Sequence, residues 1–197
     1  MSEQLPAEAQ AVLDFWFGTP TSSEFGSARK VWFVKDHAFD QSIRDRFGAL
    51  IERTLRGESD DWGDKPSSAL AQIVVLDQFT RNAFRGTARA FAGDARALAA
   101  ASRLVGARDD EALLPVMRTF VYLPFEHAES LAMQDESVRL FRRLVGDGDD
   151  PGKLVDYALR HRAIVERFGR FPHRNEILGR QSTAEEIDFL KQPGSGF

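Results

Sequence analysis

The sequence contains no cysteine, only five lysines and no long hydrophobic run. Without cysteine, the chain has no disulfide framework, no thiol chemistry and no cysteine-ligated zinc or iron–sulfur site. The longest stretch free of charged residues and histidine extends from Pro66 to Leu76, far short of a membrane span. The first residues, MSEQLPAEAQ, lack the basic start and apolar stretch of a secretory signal. We therefore expect a cytoplasmic protein that does not bind membranes.

A single domain is the expectation for a chain of 197 residues. Such a chain buries about 70% of the surface that its unfolded form exposes, so it can build a substantial core. Sixteen phenylalanines predict an aromatic core rather than an exposed aromatic platform. We predict one helical domain over residues 1–190 and a C-terminal tail over residues 191–197.

Helix start and stop signals divide the chain into eight to ten helices. The first helix follows Pro6 and ends at Gly18, and Asp36 is predicted to cap a second that stops at Gly57. A third helix, ALAQIVVLDQFTRN, is predicted to be capped by Ser67 or Ser68. It is apolar on nearly every face, which predicts a central position in the fold.

The next two helices are predicted from weaker signals. One starts near Thr87 and ends at Gly106. The other begins around Asp109, contains Pro115 and ends at Pro124.

The C-terminal third is predicted to form three more helices. FEHAESLAMQDESVRLFRRLV ends at Gly146, and Asp150 with Pro151 opens a helix that includes KLVDYALRHRAIVERFGR. The last helix has two alternative capping boxes, one starting at Ser182 and the other at Thr183. No segment alternates with the period of a β-strand, so the predicted fold class is all-α.

Three polar residues fall on apolar helix faces and are the candidate catalytic residues. Asp77 shares a face with Leu70 and Ile73, and His127 and His161 also lie among apolar neighbours. An unpaired polar group inside a protein costs a few kcal/mol, so each side chain needs a partner from protein, water or ligand. Together they suggest a shared polar pocket, in which histidine would act as general acid or base and Asp77 would orient it.

Structural interpretations of the same residues stay open. An inward histidine commonly donates to a backbone carbonyl in the core. Asp77 and Arg81 have the spacing of an ordinary ion pair along a helix. All these residues could also lock helices together without any further function.

A basic segment lies between Arg160 and Arg180, with six arginines against two glutamates, while the rest of the chain carries a net charge of -8. Guanidinium groups match the geometry of carboxylate and phosphate. A solvated helix face with an Asp156–Arg160 surface pair is the alternative. The candidate ligand-binding residues are Arg81, Arg85, Glu126, Arg160, Arg170, His173 and Arg174.

Other site classes have less support. His127, His161 and Asp77 could bind a metal, but histidines on apolar faces usually have protein partners, and HExxH is absent. We therefore predict no metal site and assign no cofactor. The GxSxG elbow and both glycine-rich phosphate loops are absent. Because the chain is acidic overall, nucleic acid is not an expected partner.

Three long segments resemble a known family: LDQFTRNAFRGTARAFAGD, YLPFEHAESLAMQ and RHRAIVERFGRFPHRNEILGRQSTAEEIDFL. With VLDFWFG and WFVKDHAFD near the start, they resemble the bacterial domain of unknown function 924 family along nearly the whole chain. The resemblance implies stacked antiparallel helix pairs in a tetratricopeptide-like right-handed superhelix. It supplies no reaction, cofactor or site residue.

Two functional hypotheses follow. The first is a pocket for an anionic small molecule, which would be an enzyme site if a histidine acts there as general acid or base. The second is a tetratricopeptide-like module whose arginines bind acidic peptides. The oligomeric state is not predicted.

Overall fold

The computed structural model describes residues 5–146 and 153–196, and within these ranges the chain forms helices and turns but no β-strand. The predicted all-α fold class is confirmed. The α-helices of the described residues are α1 (Ala7–Phe17), α2 (His37–Leu55), α3 (Pro66–Ile73), α4 (Thr80–Ala83), α5 (Asp94–Gly106), α6 (Pro115–Glu126), α7 (Leu131–Val145), α8 (Leu154–Phe168) and α9 (Ala184–Leu190).

These helices belong to two compact units. Within the described residues, the first unit consists of 5–85 and 89–124, and the second of 86–88 and 125–196. The single domain predicted over 1–190 and its tail stay a prediction. In the tail, the Ser195 hydroxyl donates to the Leu190 carbonyl at 3.1 Å, while residue 197 lies outside the described residues.

Two of the predicted helix caps are confirmed. The Asp36 carboxylate accepts the backbone N–H groups of Ala38 and Phe39 at the start of α2, at 2.9 and 3.0 Å. Of the two alternative capping boxes, the one between Thr183 and Glu186 forms, with each side chain accepting the other residue's backbone N–H. These side chains satisfy N–H groups that a helix leaves open at its first turn.

The predicted cap and regularity of the third helix are wrong. The helix begins at Pro66, and the Ser68 hydroxyl instead donates to the Trp62 carbonyl at 2.6 Å. A π-helical segment, Val74–Phe79, separates α3 from α4. Hydrogen bonds in a π-helix close wider rings than in an α-helix, and such segments recur at functional sites.

Three predicted helix boundaries also differ from the structure. Pro115 begins α6 instead of lying inside it, because a proline needs no N–H bond in the first turn. Pro124 lies inside α6 and does not end it. No helix starts at Thr87: a 3-10 turn at Ala88–Phe91 precedes α5.

The stretch predicted as one helix around FEHAES is interrupted. Between α6 and α7, residues 127–130 form a turn. The predicted helix start at Asp150 and Pro151 lies outside the described residues, and α8 is described from Leu154 onwards.

Aromatic rings build the core of the first unit, as the phenylalanine content predicts. The Trp32 and Phe120 ring centroids are 4.8 Å apart, Trp16 and Phe120 are 5.5 Å apart, and Phe47 and Phe79 are 4.9 Å apart. Tilted and edge-on ring contacts of this kind add to the stabilisation from the large apolar area that each ring buries.

The second unit contains the helices that carry most of the candidate site. Its core includes Ile164 and Val165 of α8 together with Phe171, against which Phe168 and Phe189 pack. Helix α7 packs along α8. Phe171 is fully buried, and residues of the candidate site pack against its ring.

Candidate functional site

Three histidines come from different parts of the second unit. His161 lies on α8, and His173 lies in the 3-10 turn Pro172–Arg174. His127 was predicted on a continuous helical face, which is wrong, because α6 ends at Glu126 and the residue lies in the following turn.

The turn that carries His127 is held by a side chain from α7. The Gln134 amide is fully buried and donates to the carbonyls of Glu126 and Ala128, at 2.6 and 2.8 Å. These bonds satisfy carbonyls that the end of a helix leaves open. They place the His127 backbone next to the end of α6.

Two imidazole groups contact the Phe171 ring, and the third lies beside one of them. The ring centroids of His161 and His173 each lie 5.6 Å from that of Phe171, and the His127 centroid lies 6.4 Å from that of His161. The Arg174 guanidinium carbon is 4.6 Å from the Phe171 centroid. We call this group, His127, His161, Phe171, His173 and Arg174, the histidine cluster.

His161 is buried and held by its own helix. Its Nδ1 lies 2.9 Å from the Tyr157 carbonyl oxygen and 3.4 Å from Oε1 of the buried Glu126. A carbonyl oxygen only accepts hydrogen bonds, so Nδ1 of His161 carries the proton and the neutral ring keeps a lone pair on Nε2. The predicted burial of His161 is thus found, with the carbonyl partner that the structural alternative anticipated.

Two imidazoles of the histidine cluster are held in the neutral form. Burial, with smaller contributions from neighbouring His127, Arg174 and His173, lowers the pKa of His161 to about 3 against the opposing effect of the hydrogen bond to Tyr157. Burial likewise lowers the pKa of His173 to about 4, with Arg174 as the next contributor. Both imidazoles are therefore neutral at pH 7, beside a charged and buried guanidinium.

Glu129 is a residue of this region that the sequence analysis did not select. Burial alone would raise the pKa of Glu129, but hydrogen bonds from Arg180 and from the Phe171 backbone outweigh it and hold that pKa below its usual value. The Arg180 guanidinium binds the carboxylate at 2.6 and 2.9 Å, and the Phe171 N–H donates at 2.8 Å. Glu129 thereby fixes the position of Phe171. The acidic EHAE motif is the only local signal for it.

Four of the predicted ligand-binding arginines contact carboxylates of the protein, and their role in ligand binding stays a prediction. Arg85 forms two hydrogen bonds with buried Asp40, at 2.8 and 3.0 Å. Arg170 forms two with buried Glu186, at 2.7 and 2.8 Å. Arg160 is exposed and lies 4.0 Å from Asp156, the surface pair considered in the sequence analysis.

The fourth, Arg81, joins two carboxylates in the first unit. Its guanidinium lies 3.0 Å from the fully buried Asp77 and 2.8 Å from Asp94. The ordinary Asp77–Arg81 ion pair is therefore present, next to the π-helical segment. Asp77 belongs to the first unit and the histidine cluster to the second. The shared pocket of Asp77, His127 and His161 stays a prediction.

The described residues also bear on other kinds of site. Residues 5–146 and 153–196 contain no group of three or more histidines and carboxylates arranged to hold a metal ion. Within the same ranges, no helix combines the length and the apolar character needed to cross a bilayer. A surface depression of about 410 Å³ lies on α7 and α8, and it shares no lining residue with the histidine cluster.

The described residues thus form an all-helical fold. Among them, histidine side chains come close together only in the histidine cluster. Residues 12–194 match the family model described as a bacterial protein of unknown function (DUF924), and the chain therefore belongs to this family. A solved structure of a protein of unknown function from Agrobacterium tumefaciens is similar, with 40% sequence identity and a TM-score of 0.80. The match covers 93% of this chain and 96% of that one. No curated protein matches the chain.

Proposed function

We propose that the protein binds an anionic small molecule at the histidine cluster and uses His161 as a general acid–base. The observation that carries this proposal is that His161, His173 and the Arg174 guanidinium surround the Phe171 ring, with His127 next to His161. A guanidinium binds carboxylate and phosphate well, and neutral imidazoles supply both donors and acceptors. His127 and His173 are only half-buried, which gives a ligand a route to the buried members.

Electrostatics favour an anion at this position. Burial is the main reason that His161 and His173 stay neutral, and the charge of Arg174 adds to it. The same charge favours a negative ligand beside the two rings. A bound anion would offset that charge and raise both pKa values towards the neutral range. Nε2 of His161 would then be a proton acceptor suited to general base catalysis.

The test is a thermal-shift titration with inorganic phosphate and with di- and tricarboxylates. A ligand present at 100 times its dissociation constant adds about 2.7 kcal/mol, which corresponds to a rise in Tm of roughly 5–10 °C for a chain of this length. His127→Gln and His173→Gln should reduce the shift, because both residues are half-buried and tolerate polar replacement. His37→Gln is the matched control, since His37 is exposed at the start of α2 in the first unit.

Proton uptake provides a second measurement. Titration calorimetry at pH 6 in two buffers of different ionisation enthalpy should show protons taken up when the anion binds, because its charge raises the histidine pKa values. If no anion shifts Tm, or if His127→Gln and His173→Gln leave the shift intact, the proposed site is wrong.

The second candidate is a peptide-binding module with tetratricopeptide-like helix pairs. The packing of α7 along α8, with arginines on the surface of both helices, favours it. Paired helices of this kind can present an extended binding surface. A polypeptide that binds stoichiometrically through the arginines of α7 and α8, with no small anion bound at the histidine cluster, would favour this alternative.

A further inference from the structure

The segment that follows α9 folds back on the end of its own helix. The Ser195 hydroxyl donates to the Leu190 carbonyl at 3.1 Å, and the Ser195 N–H donates to the Gln192 carbonyl at 3.3 Å. Gly194 lies inside this turn with a φ of 79°, in the left-handed region that glycine enters without a steric cost. We call residues 191–196 the glycine strap.

The glycine strap reaches the histidine cluster. A Cβ atom on Gly196 would lie 3.8 Å from the Cβ atom of His173. A Cβ atom on Gly194 would lie 3.7 Å from a terminal nitrogen of the Arg160 guanidinium. At these distances the two glycines lie directly beside the side chains that they face. The strap therefore runs from an exposed arginine of α8 to His173, one of the half-buried residues that give a ligand its route to the cluster.

Little buried surface holds the strap in this position. Every residue of the strap except Ser195 is exposed, and the glycines have no side chain to bury. Helix α9 is anchored better, because the Phe189 ring packs on Phe168 with the centroids 5.0 Å apart. Segments with few buried contacts open at a low free energy while neighbouring elements stay folded. The strap can therefore lift away while α9 remains in place.

We propose that the glycine strap controls access to the histidine cluster: it covers His173 in the position that the structure shows, and it lifts to admit an anion. This inference rests on the proposed function, since it names the segment that regulates the same anion site. The anion binds only the molecules whose strap is lifted, so its apparent affinity falls in proportion to the lifted fraction. The conformation of the strap thus sets the anion concentration at which the site fills.

A cysteine pair tests the position of the strap without any ligand. The chain has no cysteine of its own, and the separation of 3.8 Å between the two Cβ positions matches that of a disulfide. His173→Cys/Gly196→Cys should therefore form a disulfide within one chain under mild oxidation. His173→Cys/Gly194→Cys is the matched control and should oxidise more slowly, because Gly194 faces Arg160. Equal oxidation of the two pairs, or free thiols in both, would overturn the proposal.

Gly194→Ala tests the control of access. Alanine is disfavoured at this positive φ, so the substitution should raise the lifted fraction and increase the affinity for phosphate or citrate roughly three- to tenfold. Isothermal titration calorimetry measures this change. Gly26→Ala is the matched control: Gly26 belongs to the first unit, has a φ of 76°, and a Cβ atom there would also meet its nearest neighbour at 3.7 Å.

The outcomes separate the strap from the anion site. Equal anion affinity of wild type and Gly194→Ala would overturn the strap and leave the proposed anion site intact. An equal rise in Gly26→Ala would also overturn the strap, because that residue does not touch the cluster's unit. Binding to Gly194→Ala alone would support the strap as a nearly complete closure. If neither anion binds any variant, the proposed function and the strap as its regulator are both wrong.

Discussion

Nδ1 of His161 lies 2.9 Å from the carbonyl oxygen of Tyr157, one turn earlier in α8. Because the carbonyl only accepts, this contact determines which nitrogen of the neutral ring carries the proton. The tautomer with hydrogen on Nδ1 is the less usual one for free histidine, and here the backbone selects it.

The tautomer of His161 can be measured directly. We expect ¹⁵N spectra at pH 7 to show a protonated Nδ1 and an unprotonated Nε2, and the same pattern should persist to about pH 5 because burial lowers the pKa of His161 to about 3. Exposed His37 should show rapid tautomer averaging and is the internal reference. A protonated Nε2 in His161 would contradict the assignment and remove the proposed proton acceptor.

Stability should fall as the pH is lowered from 7 to 5. The pKa values of His161 and His173 are lowered in the folded protein to about 3 and about 4, whereas the unfolded imidazoles keep a value near 6.5. The unfolded chain therefore takes up protons first, and each histidine removes roughly 1 kcal/mol per pH unit below 6.5.

Urea denaturation at pH 7 and pH 5 measures this dependence, in a window above the titration of most carboxylates. His173→Gln should reduce the difference between the two pH values by about half. His37→Gln should leave it unchanged. Equal stability of the wild type at pH 7 and pH 5 would show that the two histidines are not buried in the neutral form.

Two neighbouring ion pairs should differ in their contribution to stability. Arg170 binds buried Glu186, and the pKa of the Glu186 carboxyl is lowered to about 2. The hydrogen bonds from Arg170 are the largest cause of this decrease. Arg170→Ala would leave the Glu186 carboxylate without its guanidinium, so it should lower the free energy of unfolding at pH 7 by more than Arg167→Ala does. Arg167→Ala removes an exposed pair with Glu185 and should cost less than about 1 kcal/mol.

The pH dependence of the two variants provides the check. Since the pKa of Glu186 is lowered, its stabilising effect is complete above about 4.5 and is lost as the pH falls towards 2. The difference in unfolding free energy between Arg170→Ala and wild type should therefore shrink over that range. If Arg170→Ala retained wild-type stability and lost anion binding instead, the arginine would belong to a ligand site.

Gly93 should not tolerate alanine. A Cβ atom at this position would lie 2.1 Å from the Leu76 carbonyl oxygen, which is backbone and cannot rotate away. Gly93→Ala should cost about 1–3 kcal/mol, as overpacking does elsewhere. Gly48→Ala, in the middle of α2 with nothing within 4 Å of the added atom, should instead raise the stability by about 0.5–1 kcal/mol. Thermal unfolding of the two variants is the measurement: Gly93→Ala should lower Tm through the steric clash, and Gly48→Ala should raise it through helix propensity. Equal Tm values would contradict the close approach of Gly93 to the Leu76 carbonyl.

The sequence correctly predicted features that depend on residues close together in the chain, such as helix caps and an ion pair along one helix. The Asp36 cap and the Thr183–Glu186 capping box depend on residues within one turn, and both are present. The Asp77–Arg81 pair is also local. The π-helical segment was missed because the helix is apolar on nearly every face as far as Leu76, so the hydrophobic periodicity carries no information about the helical register there.

The candidate site was harder to predict because its contacts are distant in the sequence. Asp40 and Arg85 are separated by 45 positions, and Glu129 and Arg180 by 51. Spacing along one helix cannot reveal such partners, so Arg85 was expected to bind a ligand and Glu129 was overlooked. His127 was misplaced for a similar reason, since the side chain that holds its turn, Gln134, belongs to the next helix.

The π-helical segment gives the chain one place inside a buried helix where its length can change. A π-helical turn holds one residue more than an α-helical turn, so removing one residue from Val74–Phe79 would close the wide turn while α3 and α4 kept their buried faces. The same deletion inside a regular helix would rotate everything beyond it by about 100° and turn core side chains outwards. A one-residue deletion should therefore be tolerated better in this segment than in α2 or α5.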